Sequence, residues 1–331
     1  MDSRPAPLVT IEDIRSAAAI LHGVAIRTPL VPFGPPGDHQ FLKAESLQSI
    51  GAFKIRGAYH AIATLPADQR ARGVITYSSG NHAQGVARAA RILGCLAIVV
   101  MPSDAPAVKR TGVEADGAEV IVVGTASDER QRVAESIAAE RGLAIIPPFD
   151  DDRIIAGQGT VGLEIAEDMP DVAVVLVPIG GGGLASGVAT ALKALRPSTR
   201  IVGVEPELAA DARESLERGA IVRWTAADVS RTIADGTRTQ SLGERTFAHL
   251  RAYLDAVITV SEAEIMAGVR LAAERSRLVV EPSGALVVAA MAFHQAGAGL
   301  VGLDGPLVGI VSGGNVDPED YQRYLAAPLP G

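Results

Sequence analysis

The sequence predicts an α/β fold in which mostly parallel sheets are flanked by helices. Two observations carry that reading. Short β-branched runs such as Val74-Ile75-Thr76-Tyr77 alternate with helical periods twice along the chain, as buried parallel strands do. A hydrophobic content of 48% with only 4% aromatics then points to an Ala/Val/Ile/Leu core, which suits α/β layers better than a β-sandwich. The 331 residues suffice for one large domain or two ordinary ones.

Residues 11–22 read as a helix, with Ile11, Ile14, Ala18 and Leu21 on one face and Thr10 as N-cap. A turn-rich break follows at 32–37, then a short strand at Phe41-Leu42-Lys43. Strands at 74–77, 96–101, 119–123 and 144–146 alternate with helices at 82–93, 106–115 and 128–140. That set closes a small domain over 69–147, inserted into a larger one made of 1–68 and 148–331. In the larger part, helices at 153–168, 184–195, 262–276 and 283–296 accompany strands at 172–177, 200–204, 257–260 and 307–311. Residues 206–250 read as irregular and polar, suited to site loops or a subunit contact. Residues 326–331 read as a frayed tail, with no room for an appended regulatory domain.

Charge and composition narrow the function. A net charge of −8 without a basic run argues against nucleic acid as a partner. No basic-then-apolar leader and no membrane-length apolar run stand in the sequence, so a cytoplasmic protein without a membrane partner is expected. The single cysteine, Cys95, cannot form an internal disulfide and is expected as a buried structural thiol.

Four segments carry chemistry. Ala52-Phe53-Lys54-Ile55-Arg56-Gly57-Ala58 sets one lysine after an aromatic residue. Gly180-Gly181-Gly182-Gly183-Leu184 follows a strand and opens a helix; without Cβ atoms, its N–H groups can converge on a phosphate at the helix N-terminus. The spacing is not that of a dinucleotide fingerprint, which argues against a nucleotide-binding oxidoreductase. Ser78-Ser79-Gly80-Asn81-His82 crowds polar groups at a strand end, where open α/β sheets bind ligands; it also reads as an ordinary helix cap. His82 serves equally well in a structural hydrogen bond. Ser312-Gly313-Gly314-Asn315 follows the last strand and offers a hydroxyl. A Schiff-base lysine, a phosphate cradle and a polar loop for a carboxylate together read as a pyridoxal-phosphate enzyme acting on an amino acid. A serine hydroxyl at the pyridine nitrogen leaves the ring a weaker electron sink than a carboxylate would, which suits elimination or racemisation over transamination.

With these motifs in order from about Thr10 to Asn315, the chain resembles the fold-type II pyridoxal-phosphate enzymes, the serine/threonine dehydratase and serine racemase group with its tryptophan synthase β-like fold. The resemblance implies Lys54 as the Schiff-base lysine, Phe53 against the ring and Asn81 on its phenolic oxygen. It implies Gly180 to Gly183, with Leu184, on the phosphate, Ser312 on the pyridine nitrogen and Glu281 near the cofactor. Ser78, Ser79, Gly80, Asn81 and His82 would hold the substrate carboxylate, and Asp235 would face the substrate. The segment 205–211 resembles the divalent-cation segment of the racemases. Glu205, Asp211 and the Ala209 carbonyl would suit Mg²⁺ or Ca²⁺, which prefer oxygen ligands, while solvated acidic loop residues are the plainer reading. Two positions depart from the group. Ile50-Gly51-Ala52 stands where many relatives carry Thr-Gly-Ser, and Arg130 is a loose counterpart of a racemase-like arginine, in a loop of different length.

The expected reaction is β-elimination on a 3-hydroxy amino acid such as L-threonine or L-serine, with Lys54 taking the Cα proton and a 2-oxo acid and ammonium as products. The alternatives are an amino-acid (serine) racemase, with Ser79 as acid/base on the opposite face, a 3-hydroxyaspartate dehydratase, and more remotely a non-enzymatic amino-acid sensing module. A homodimer or higher homo-oligomer is expected.

Overall fold

The computed structural model describes residues 7–35, 37–78, 80–124, 127–294 and 305–330. Their strands are β1 (Leu30–Pro32), β2 (Gln40–Ala44), β3 (Val74–Tyr77), β4 (Ala97–Pro102), β5 (Glu119–Val123), β6 (Ala144–Ile145), β7 (Val174–Pro178), β8 (Arg200–Pro206), β9 (Ala256–Val260) and β10 (Leu307–Val311). One sheet runs β1-β2-β10-β7-β8-β9, parallel except where β1 pairs antiparallel with β2. The second runs β5-β4-β3-β6 and is parallel throughout.

Strand β7 shows why the runs are apolar. Side chains alternate across a strand, and both faces of β7 are covered. Val174 and Leu176 pack with Val202, Leu286 and Met291 on one face. Val175 and Val177 pack with Ile201, Val188 and Ile310 on the other. The helices Glu262–Ser276 and Pro282–Phe293 cover the first face; Asp152–Asp168 and Gly183–Leu195 cover the second.

The helix Lys54–Ala63 is one that the sequence pattern does not mark, and two devices seat it. Gly57 lies so close to the helix Asp152–Asp168 that a Cβ on Gly157 would fall 2.6 Å from the Gly57 Cα. Beside it, the buried Arg56 pairs with Glu45 at 2.8 Å and Glu164 at 2.6 Å, and Lys43 meets Glu164 at 2.6 Å. Burial pushes the Glu45 carboxyl up, but Arg56, with Thr28 and Lys43, holds it below the usual range. Breaking such a network by removing one partner typically costs about 3–5 kcal/mol.

Thr10 caps the helix Ile11–Leu21, accepting from the Asp13 N–H while Asp13 returns the bond. Other expectations need correction. The stretch 206–250 is not irregular throughout: it carries the helices Asp211–Arg218, Ala226–Val229 and Glu244–Tyr253. The last is capped from afar, because the Asp150 carboxylate accepts from the N–H groups of Glu244, Arg245 and Thr246 at 2.9–3.1 Å. A further helix, Pro318–Leu325, precedes the tail. The tail itself is partly packed, with Ala327 buried and its carbonyl accepting from Arg270. Cys95 is half-buried rather than buried, at the edge of the cluster around Val74 and Ala90. Among the described residues, no helix is long and apolar enough to cross a membrane.

Candidate active site

The carboxyl ends of the two sheets face a common cavity of about 240 Å³. Phe53, Lys54, Ser78, Gly80, Asn81, His82, Gly180 to Gly183, Leu184, Asp235, Glu281 and Ser312 all line it. Ser79 lies outside the described residues. Segments far apart in sequence thus converge, and backbone bonds zip two of them together. Phe53 N–H donates to the Ser312 carbonyl at 3.0 Å, Gly314 N–H donates to Gly51 at 2.9 Å, and Ala52 bridges to Gly313.

Lys54 opens its helix, and its Nζ donates to the Pro148 carbonyl at 2.7 Å. Among the described residues no carboxylate partners it; desolvation in the cavity wall lowers its pKa to about 8. The nitrogen also stands 5.2 Å from the centroid of the Phe53 ring. A lysine so placed is partly a free amine near neutral pH, the form that attacks carbonyls.

The glycine loop connects β7 to the helix Gly183–Leu195, with Gly182 as a left-handed N-cap at φ 89°. A Cβ on Gly181 would fall 2.2 Å from the Phe149 ring. The cradle therefore needs glycine for close approach as well as conformation, and its amides, at the head of a long helix, suit a phosphate.

His82 has a defined role in the cavity wall. Its Nε2 faces the Ile146 carbonyl at 3.0 Å, so Nε2 carries the proton and donates, and the buried Nδ1 has no partner among the described residues. Burial, and then the charge of Lys54, lowers its pKa to about 3. His82 is neutral in the working range and cannot supply a proton there.

Asn81 Nδ2 donates to Glu281 Oε1. The other oxygen, Glu281 Oε2, lies 2.9 Å from Lys109 Nζ, which donates to Asp235 at 2.6 Å. Burial pulls the Lys109 ammonium down, yet Glu281 and Asp235 hold it above the ordinary lysine value. Burial raises the Glu281 carboxyl, against the pull of Lys109. Sequence reasoning missed Lys109: it is one lysine in an ordinary amphipathic helix, and nothing local marks it. It also missed Pro148 and Phe149, although the pair Pro147-Pro148 between a strand and a helix was a visible mark of a constrained crossing.

Glu205, Ala209 and Asp211 lie apart from this cavity, at the end of β8. Glu205 accepts from the N–H groups of Ala212 at 3.0 Å and Arg213 at 2.8 Å, while both Asp211 carboxylate oxygens are buried with no hydrogen-bond partner among the described residues. Burial, then the charge of Asp211, pushes the Glu205 carboxyl well up, and burial raises Asp211 to about 7. Among the described residues, no group of three His, Cys, Asp or Glu side chains forms a metal cluster there.

Comparison with known proteins gives a consistent picture. The family model described as "Pyridoxal-phosphate dependent enzyme" matches residues 23–313. L-threonine ammonia-lyase of Thermotoga maritima is 42% identical over 323 residues, covering 96% of this chain and 78% of its own. L-threo-3-hydroxyaspartate ammonia-lyase of Saccharomyces cerevisiae is 41% identical over 296 residues, covering 89% and 88%. The structure of maize serine racemase superposes with a TM-score of 0.88 at 38% identity, covering 96% and 97%.

Proposed function

We propose that this chain, which belongs to the family of pyridoxal-phosphate dependent enzymes, eliminates the β-hydroxyl and the amine of a 3-hydroxy amino acid, L-threonine or L-serine, giving a 2-oxo acid and ammonium. Its fold is the fold-type II arrangement of such enzymes. The observation that carries the reading is a Lys54 held on a neutral carbonyl, its pKa lowered by desolvation, in one cavity with a glycine cradle and the Ser312 hydroxyl.

When bound, pyridoxal phosphate supplies the carbonyl that takes the substrate amine and the conjugated ring that acidifies the Cα proton. Lys54 accepts that proton, as a neutral amine can near pH 7. Gly180 to Gly183 and Leu184 hold the phosphate, Phe53 backs the ring, and Ser312 meets its nitrogen. Asn81 and Glu281 flank the ring's oxygen side. Ser78, Ser79, Gly80, Asn81 and His82 receive the substrate carboxylate, His82 through its main-chain N–H in the first turn of the helix Asn81–Leu93, because the Nδ1 lone pair of its neutral ring cannot donate, and Asp235 faces the substrate.

A second reading, racemisation with Ser79 on the opposite face, is supported by the likeness to maize serine racemase. Elimination on 3-hydroxyaspartate is supported by the yeast relative. A panel of 3-hydroxy amino acids, scored separately for 2-oxo acid and for inverted enantiomer, separates the three. Holoenzyme that releases no 2-oxo acid from any of them ends the elimination reading.

Glu205, Asp211 and the Ala209 carbonyl would bind Mg²⁺ or Ca²⁺, supported by the two unpartnered carboxylate oxygens of Asp211. The division into 1–68 with 148–331 and an inserted 69–147 is supported by β3 to β6 forming their own sheet. A cytoplasmic homodimer or higher homo-oligomer completes it, and sedimentation of the holoenzyme tests the assembly.

A further inference from the structure

Asn315 ends the segment whose first residue, Ser312, reaches the cavity. Its Nδ2 lies 2.8 Å from the Ile50 carbonyl oxygen, 2.8 Å from Gln84 Oε1 and 2.9 Å from Asn81 Oδ1. Two of these partners are fixed in polarity. A carbonyl only accepts, so the Asn315 atom facing Ile50 is the nitrogen. Gln84 Nε2 faces the carbonyls of Val108 and Lys109, each at 3.3 Å, so Gln84 turns its oxygen to Asn315. Asn81 is left one orientation: its oxygen accepts from Asn315, and its nitrogen points to Glu281 in the cavity wall. Gly51 completes the lock. It holds φ 72°, and a Cβ there would fall 2.4 Å from Asn315 Oδ1.

We infer that Asn315 is a positioning residue that fixes the amide of Asn81, so that Asn81 presents an N–H rather than a carbonyl to the bound cofactor. The inference rests on the reading of Asn81 as a cofactor contact. With the amide reversed, a lone pair instead of a donor meets the ring's phenolic oxygen, which both loses a hydrogen bond and opposes two acceptors. The chain thereby links two polar loops far apart in sequence, and it explains why a side chain outside the cavity lining is placed among three acceptors.

The test compares Asn315→Asp, Asn315→Ala and Asn81→Ala as holoenzymes. The measurements are the cofactor dissociation constant, its visible absorbance band, and melting temperatures with and without cofactor. In Asn315→Asp the introduced carboxylate only accepts, so it opposes Asn81 Oδ1 and competes with Glu281 for the Asn81 nitrogen, and the amide no longer has one fixed orientation. The dissociation constant is expected to rise about tenfold, as for one lost and one opposed hydrogen bond, with a shifted band. Asn315→Ala removes the orienting donor without reversing the amide, and its effect falls between wild type and Asn315→Asp. Both variants narrow the gap between holo and apo melting temperatures. If Asn81→Ala changes band and affinity while both Asn315 variants match wild type, the inference is overturned. It is equally overturned if apo and holo forms lose stability alike with affinity unchanged, since that is a purely structural role. An Asn81→Ala enzyme with wild-type band and affinity would instead remove the cofactor reading of Asn81, and this inference with it. Should Asn315→Asp fail to fold, Asn315→Ala and Asn315→Ser decide by the same readings.

Discussion

The Lys54 ammonium donates to the Pro148 carbonyl across 2.7 Å, tying the head of its helix to the segment that leaves the small sheet after β6. That carbonyl offers no counter-charge, so desolvation sets the amine at about 8, below the ordinary 10.5. The apoprotein should therefore take up pyridoxal phosphate at a rate that rises with pH around a midpoint near 8. The sign for stability follows: between about 8 and 10.5 the unfolded chain holds the Lys54 proton and the folded chain does not, so this group favours folding increasingly as pH rises through that window. Lys54→Ala should remove turnover and borohydride labelling while the fold persists. Label recovered on another lysine would show the assignment to be wrong.

Gly181 and Phe149 are packed so tightly that the glycine cannot be replaced without moving the ring, since an added Cβ would stand 2.2 Å from it. Gly181→Ala should destabilise the apoprotein by about 1–3 kcal/mol, the usual cost of overpacking, and weaken cofactor binding. Adding Phe149→Leu should return part of the stability. Denaturant unfolding of both variants checks this; an additive pair would mean that the ring and the loop do not oppose each other.

Much of this arrangement was legible because the chemistry sits in small polar and glycine residues at strand ends, where apolar packing residues would otherwise stand. The buried strands announced themselves for the complementary reason, as β-branched runs covered on both faces. What stayed hidden depends on distant partners. The helix Glu244–Tyr253 takes its cap from Asp150, and no residue next to it in sequence carries that information. Lys109 gains its setting from Asp235 and Glu281, and the helix Lys54–Ala63 is seated by Glu45 and Glu164 through Arg56. Pattern reading weighs neighbours along the chain, so tertiary ion pairs escape it.

The pair Glu205 and Asp211 should respond to divalent cations in a pH-dependent way. Asp211, raised by burial to about 7 from 3.8, holds a proton when folded that the unfolded chain releases between those values. Its contribution to stability is therefore lost as pH rises through about 7, and a cation must displace that proton to bind. Added Mg²⁺ or Ca²⁺ should raise the melting temperature more at pH 8 than at pH 6, and Asp211→Asn should abolish the response. A melting temperature indifferent to EDTA and to cation at both pH values removes the metal from this account.

Ser79→Ala should separate elimination from racemisation. Elimination needs an acid/base on one face of the substrate only, and Lys54 supplies it, whereas inversion needs a second group opposite. Racemisation should fall far more than 2-oxo acid release when both are measured on L-serine. Equal losses would assign Ser79 to carboxylate binding alone.

Ser312, buried at the end of β10 and joined through its carbonyl to Phe53, should govern how the reaction partitions. A hydroxyl can donate to a neutral pyridine nitrogen but cannot hold a proton on it; a carboxylate can. Ser312→Asp should thus strengthen the electron sink and favour return of the Cα proton over loss of the β-hydroxyl. The measurement is deuterium incorporated at Cα of recovered substrate in heavy water, set against 2-oxo acid released in the same sample. The ratio should move toward exchange. A larger, charged side chain can also disturb the site by its bulk, so cofactor content and Ser312→Asn, which is close in size but uncharged, must be read alongside. If Ser312→Asp binds cofactor fully and partitions like wild type, the hydroxyl does not tune the ring, and its position at the nitrogen is wrong. If Ser312→Asn shifts the ratio as far as Ser312→Asp, size rather than charge is responsible, because only the carboxylate can keep the nitrogen protonated.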